Sequence, residues 1–228
     1  MARHAERPAK PIRGGVLLSG FEPFGGEPIN PSLEVARRLH GWRSASGAQV
    51  TACVLPTEFG RAIEVLAQAL ARTQPVLVIA LGLAASRGEI SVERIAINLD
   101  DARIADNAGR QPIDEPVVAD GPAAYFSTLP IKAIVAALCE AGIAAGVSQS
   151  AGTFVCNHLY YGMAHLIATR WPDMRGGFIH LPLLPEQTER FPGALGMSLE
   201  RMVDAVRIAI DTSLSTVIDA RITAGAID

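Results

Sequence analysis

Apolar positions along the chain recur in two periods. Short runs rich in β-branched residues predict strands at 15–20, 49–55, 76–81, 90–98, 146–150 and 177–181. Between most of them, apolar residues return at helical spacing. Asn30 before Pro31 reads as an N-cap with a first-turn proline, opening a helix that Gly41 closes. Thr57 is expected to cap a second helix whose apolar stripe is Ile63, Leu66, Ala67 and Leu70. Further helices are expected over 130–141, after Cys156, and over 198–218. Strands alternating with helices predict an α/β fold, with a parallel or mixed sheet covered by helices on both faces.

The segment 99–122 has no sustained periodicity and is rich in aspartate and proline, so it is expected to be a long loop, and long ordered loops are usually functional. In open α/β sheets, reacting groups lie beyond the carboxyl ends of strands. That rule selects 21–30, 148–157 and 180–186 for the closest reading.

Composition narrows the function. With 49% hydrophobic and 19% charged residues and a formal net charge of -3, the chain suits a compact enzyme rather than a disordered segment. Its basic residues are scattered among acids, which implies no nucleic-acid partner. No apolar run approaches the roughly 20 residues of a membrane helix, so no membrane partner is expected. Cys53, Cys139 and Cys156 are too few and too far apart for a disulfide framework or a CxxC metal site, which fits a reducing, cytoplasmic setting. Residues 1–14 carry Arg3, Arg7, Lys10 and Arg13 with no apolar stretch behind them; they read as a flexible tail rather than a signal peptide, leaving 15–228 as one catalytic domain.

Cys156 is the candidate nucleophile. The run GVSQSAGTFVC leaves a strand, turns at Ala151 and Gly152, and enters the helical pattern NHLYYGMAHLI, which sets the thiol at a helix N-terminus. Free N–H groups and the helix dipole there favour the thiolate. Cys53, inside a strand, and Cys139, near a helix end, read as buried structural thiols. Ser148 competes, because Gly146-x-Ser148-x-Ser150 approaches the serine-hydrolase elbow, but the final glycine is missing and the helix does not follow at once.

Of the five histidines, His4 lies in the tail and His40 ends a surface helix. His158 and His165 stand roughly 160–180° around the helix from the thiol. His180, at the end of a predicted strand, remains as the base. The carboxylate to orient it is sought on a strand. Alternation along ISVERIAIN sets Glu93 on the apolar side with Ile95 and Ile97, where a charge must be paired. A salt bridge to Arg94 or Arg103 is the structural alternative for Glu93, while Asp100 and Asp101 read as turn or capping residues.

Four segments, SGFEPFGGEPINPS, GLAASRGEISVERIAINLDDARIADNAGRQP, VSQSAGTFVCNHLYYG and FIHLPLLPEQ, together resemble pyroglutamyl peptidase I, a cysteine-class omega peptidase family. The resemblance implies a three-layer α/β/α sandwich with a mixed, mostly parallel sheet. It implies a Cys156, His180, Glu93 triad that hydrolyses the bond after an N-terminal pyroglutamyl residue of peptides, without metal or organic cofactor. The oxyanion would be met by the Cys156 N–H and Arg103. In the family the lactam ring is held between aromatic side chains, which correspond to Phe21, Phe24 and Phe154, with Asn30, Thr57, Leu83, Ile104 and Val155 at further pocket positions. A small neutral lactam suits a mostly apolar pocket with a few polar groups. The FEPFGG loop lacks the Lys-Ser/Thr pair of a phosphate-binding P-loop. Leu83-Ala84-Ala85-Ser86 departs from the Gln-Ala-Gly-Gly of many bacterial relatives, which removes a glutamine side-chain contact. Family members are often homotetramers, so a homo-oligomer, tetramer or dimer, is expected, with the apolar loop 191–195 as an interface candidate. The rival functions are a serine esterase centred on Ser148 and a non-catalytic pyroglutamyl-peptide binding protein.

Overall fold

The computed structural model describes residues 14–225. Its strands are β1 (Val16–Phe21), β2 (Val50–Leu55), β3 (Leu77–Leu83), β4 (Ile90–Glu93), β5 (Ile95–Ile97), β6 (Ala124–Phe126), β7 (Ala145–Ser148) and β8 (Arg175–Leu181). Six of them form one sheet in the order β2-β1-β3-β8-β4-β7, while β5 and β6 pair as a separate antiparallel ribbon. Every neighbouring pair in the main sheet is parallel except β4 against β8.

The helices are α1 (Pro31–Leu39), α2 (Arg61–Thr73), α3 (Ile131–Glu140), α4 (Val155–Arg170) and α5 (Leu199–Ser215). Buried residues of α1, α3 and α5 pack with Val16, Leu18, Ile79 and Ile179 on one side of the sheet. Those of α2 and α4 pack with Leu17, Val78, Ala80 and Phe178 on the other. The result is the expected three-layer α/β/α sandwich. Burial on both faces explains why β3 reads as the unbroken run LVIALGL instead of alternating. Leu66 and Leu70 of α2 are fully buried, each contributing about 1.5–3 kcal/mol.

Gly20 fixes where α1 begins. A β-carbon there would lie 2.3 Å from the Ser32 carbonyl oxygen, so only glycine lets the helix start pack against β1. Asn30 caps α1 as expected, its Oδ1 accepting from the Ser32 N–H at 3.1 Å, and the Ser32 hydroxyl accepts in turn from the Phe21 N–H.

Several sequence expectations give way. The single strand 90–98 is two: β4 stops at Glu93, and the chain turns out of the sheet at Arg94 to pair β5 with β6. The alternation therefore breaks, and beyond Arg94 the fully buried residue is Ala96, with Ile95 and Ile97 half-buried. Strand β6 has three residues, too few to announce a period. Thr57 does not cap α2. Gly60 stands at that N-cap, and the Thr57 hydroxyl donates to the Glu22 carbonyl at 3.1 Å. Cys139 is exposed rather than buried. The tail expectation falls on residues 1–13, outside the described residues, apart from Gly14. No helix among the described residues is long and apolar enough to cross a membrane.

Candidate active site

A cavity of about 480 Å³ opens beyond the carboxyl ends of β1, β3 and β8. Phe21, Leu83 and His180 come to it from those three strands, and Cys156 from the first turn of α4. The strand-end rule works for the parallel group but not for β4 and β7, which run the other way. Register explains how Glu93 still arrives. Ser91 pairs with His180 across the antiparallel β4–β8 ladder, so Glu93, two residues on, lies on the same face of the sheet as His180.

Glu93 is fully buried, and its Oε1 lies 2.7 Å from His180 Nδ1. A carboxylate only accepts, so Nδ1 carries the imidazole proton, and Nε2 has no hydrogen-bond partner among the described residues. The same Oε1 also accepts from Arg87 Nη1 at 2.6 Å, and Arg87 Nη2 donates to the Ser150 carbonyl at 2.9 Å. Glu93 thus contacts both an arginine and the imidazole, and the arginine is Arg87. Neither Arg94 nor Arg103 bonds this carboxylate: Arg94 donates to the Ala224 carbonyl, and Arg103 lines the cavity. Arg87 is the site residue that the sequence reading missed. The available signal was a buried carboxylate needing a cation, with Arg87 six residues away across a turn.

Cys156 Sγ lies over Gly82, close enough that a β-carbon at Gly82 would be 2.9 Å from it. Gly82 is registered beside His180 in the parallel β3–β8 pair, so the sulfur lies above the same face from which the imidazole projects. The N-cap of α4, Phe154, offers no side-chain bond, and the Cys156 N–H has no hydrogen-bond acceptor among the described residues. A free donor beside a candidate nucleophile is placed to receive an oxyanion. Burial pushes the Cys156 thiol up to about 12, the Glu93 charge adding to the rise and Arg87 opposing it. Burial and the Glu93 charge thus oppose the thiolate that the helix end and Arg87 favour.

The cavity wall is aromatic and tied to the loop 99–122. Phe24 and Phe154 have centroids 5.4 Å apart at 41°, and Phe59 meets Phe154 edge-on at 5.4 Å. Phe24 and Phe154 pack directly against each other. His158 backs Phe59 at 5.2 Å; its Nδ1 pairs with buried Asp100 at 2.7 Å, and its Nε2 accepts from the Gly60 N–H at 2.7 Å. Asp100 is thus a buried partner rather than a turn cap, while Asp101 meets Thr153 through its backbone N–H and carbonyl alone.

A family model for pyroglutamyl peptidase matches residues 14–216. The chain belongs to the pyroglutamyl peptidase family. It is 58% identical over 207 residues to the pyrrolidone-carboxylate peptidase of Cupriavidus pinatubonensis, covering 90% of this chain and 95% of that one. It is 59% identical over 200 residues to that of Chromobacterium violaceum, covering 88% and 92%. The crystal structure of pyroglutamyl peptidase I from Bacillus amyloliquefaciens superposes with a TM-score of 0.90 at 44% identity, covering 93% of this chain and all of that one.

Of the positions that resemblance to pyroglutamyl peptidase I implies, Phe21, Phe24, Asn30, Thr57, Leu83, Arg103, Phe154, Val155, Cys156 and His180 line one cavity. Glu93 stands behind it. Ile104 does not line it and is 41% exposed. Ser148, at the end of β7, is also outside; its hydroxyl bonds back to Ser150 within its own turn. His165 bonds the Tyr125 hydroxyl, and His40 accepts from the Ala52 N–H, so neither serves the cavity.

Proposed function

We propose that the chain hydrolyses the bond after an N-terminal pyroglutamyl residue with Cys156 as nucleophile, His180 as base and then acid, and Glu93 as the carboxylate that orients the imidazole. The observation that carries this reading is the 2.7 Å contact of His180 Nδ1 with Glu93, which leaves Nε2 free in the cavity that Cys156 lines. His180 Nε2 takes the Sγ proton as the sulfur attacks the pyroglutamyl carbonyl carbon. A thiol pushed up by its surroundings needs such a base to take its proton. The oxyanion is received by the Cys156 N–H and Arg103, a donor of this kind lowering the barrier by about 2.7–4 kcal/mol. Collapse expels the amine, which takes the proton from Nε2 and leaves a thioester. Water, deprotonated by His180, then releases pyroglutamate and restores the thiol.

The lactam rests against the joint face of Phe24 and Phe154, with Leu83 offering only apolar side-chain surface. Residues 15–228 act as one catalytic unit. The three free cysteines support a cytoplasmic setting. Phe126 and Leu195, both 69% exposed, support a homotetramer or dimer, with Leu195 at the end of the loop considered for an interface.

Iodoacetamide separates this from a serine esterase. It should inactivate the enzyme, 2-pyrrolidone should protect, and Ser148→Ala should remain active. Retained activity after alkylation of Cys156, or its loss in Ser148→Ala, would contradict the assignment.

A further inference from the structure

Arg87 has no part in the reaction steps above, yet its guanidinium joins two elements of the site. It lies on the turn between β3 and β4, bonding the Glu93 Oε1 that also holds His180 and the Ser150 carbonyl in the segment leading to Cys156. Glu93 Oε2 has no partner among the described residues, so the carboxylate makes both of its side-chain contacts through one oxygen.

A fully buried carboxylate next to the nucleophile has opposite effects on the two halves of a thiol–imidazole pair. Its charge holds the imidazolium that forms when the proton moves, and it opposes the thiolate that forms at the same moment. A cation on the carboxylate reduces the second effect while leaving the geometric hold on His180 in place. We propose that Arg87 is a positioning residue of this kind: bonded to Glu93 Oε1, it offsets that carboxylate's charge at the Cys156 sulfur and anchors the 150–154 segment before α4.

The charged and titratable groups around the sulfur include Glu93 on β4, His180 on β8, Arg87 on the turn between β3 and β4, Arg103 on the long loop, and Tyr160 on α4, whose hydroxyl donates to the Glu93 carbonyl at 3.4 Å. Arg87 is 30% exposed at its side chain, so its field is partly screened. It lowers the Cys156 thiol against the larger effects of burial and Glu93. The proposal rests on Cys156 being the nucleophile, but its first readout does not need turnover.

The test compares wild type with Arg87→Gln and Arg87→Lys, using Cys156→Ser as the background. Iodoacetamide alkylation of Cys156 is followed at pH 8 by mass, where the rate is proportional to the thiolate fraction. Thiolate ultraviolet absorbance is followed as pH rises. Arg87→Gln should slow alkylation about tenfold, the equivalent of one pH unit in the thiol. It should lower kcat by a similar factor with KM changed no more than about twofold. Arg87→Lys should recover most of both. Unchanged alkylation in Arg87→Gln, with only KM or melting temperature affected, would overturn the charge-balancing role. If Arg87→Gln does not fold, Arg87→Lys decides. One ammonium cannot match the bidentate bond to Glu93 and Ser150, so retained alkylation and kcat support the charge role, and their loss contradicts it. An inactive Arg87 variant beside a fully active Cys156→Ser would instead sink the nucleophile assignment.

Discussion

Gly82 vacates the space beside the Cys156 sulfur: a β-carbon at this position of β3 would lie 2.9 Å from Sγ and 2.7 Å from the Phe178 ring. The strand next to His180 is thus also the floor under the Cys156 sulfur, since Gly82 and His180 are registered neighbours. Gly82→Ala forces the sulfur or the ring to move. Overpacking of this kind costs about 1–3 kcal/mol, and a shift of the nucleophile near 1 Å lowers kcat roughly 10²-fold. Thermal melting and steady-state kinetics should show both losses. A variant of unchanged kcat would mean that the sulfur does not react from this position.

Glu93→Gln keeps the shape of the orienting side chain and removes its charge. The amide can donate to Nδ1 and select the wrong imidazole tautomer, so kcat should fall by roughly 10²–10⁴-fold, with KM little changed. Steady-state kinetics on a pyroglutamyl amide reads this out; an equal rise in KM would point to a binding role instead.

Thiol burial has a consequence for stability. The folded value of about 12 stands above the ordinary 9.0. Below pH 9 the thiol is neutral in both states and the linkage is silent; above it the unfolded chain ionises first, so stability falls as pH rises toward the folded value. Between pH 8 and 10, wild type should lose about 1 kcal/mol more than Cys156→Ser in urea unfolding. Parallel pH dependence of the two would show that the thiol is not held neutral by burial.

Much of this was legible from the sequence, for physical reasons that can be named. Strands buried on both faces leave unbroken apolar runs, and Asn30-Pro31 announces a helix start through its side-chain chemistry. Cys156 and His180 stood out because each follows or ends such an element. What failed depended on tertiary context. The break at Arg94 arises because β4 has exhausted its ladder with β8 and β7, which no local periodicity records. Arg87 was missed because its partner lies across a turn and its role depends on which strand runs antiparallel. The Phe24–Phe154 contact and the buried Asp100–His158 pair arise from loops whose sequence carries turn residues but no period.

His158 and Asp100 supply a further check on the pocket wall. His158→Leu leaves the Gly60 N–H and the Asp100 carboxylate without their partner, and breaking a buried pair in this way costs about 3–5 kcal/mol. Asp100→Asn can still accept from Nδ1 and should cost much less. Because Phe59 rests on His158 and Phe154, KM for a pyroglutamyl amide should rise in any His158→Leu protein that folds. Urea unfolding and KM together read this; equal destabilisation by both variants would contradict the hydrogen-bond assignment.

The most direct test of the central claim is release of aminomethylcoumarin from its pyroglutamyl amide by wild type and by Cys156→Ser, with both proteins shown to be folded. Wild type is expected to turn the substrate over, and Cys156→Ser to fall to background. Hydrolysis by Cys156→Ser at a rate near that of wild type would show that the sulfur above Gly82 is not the nucleophile.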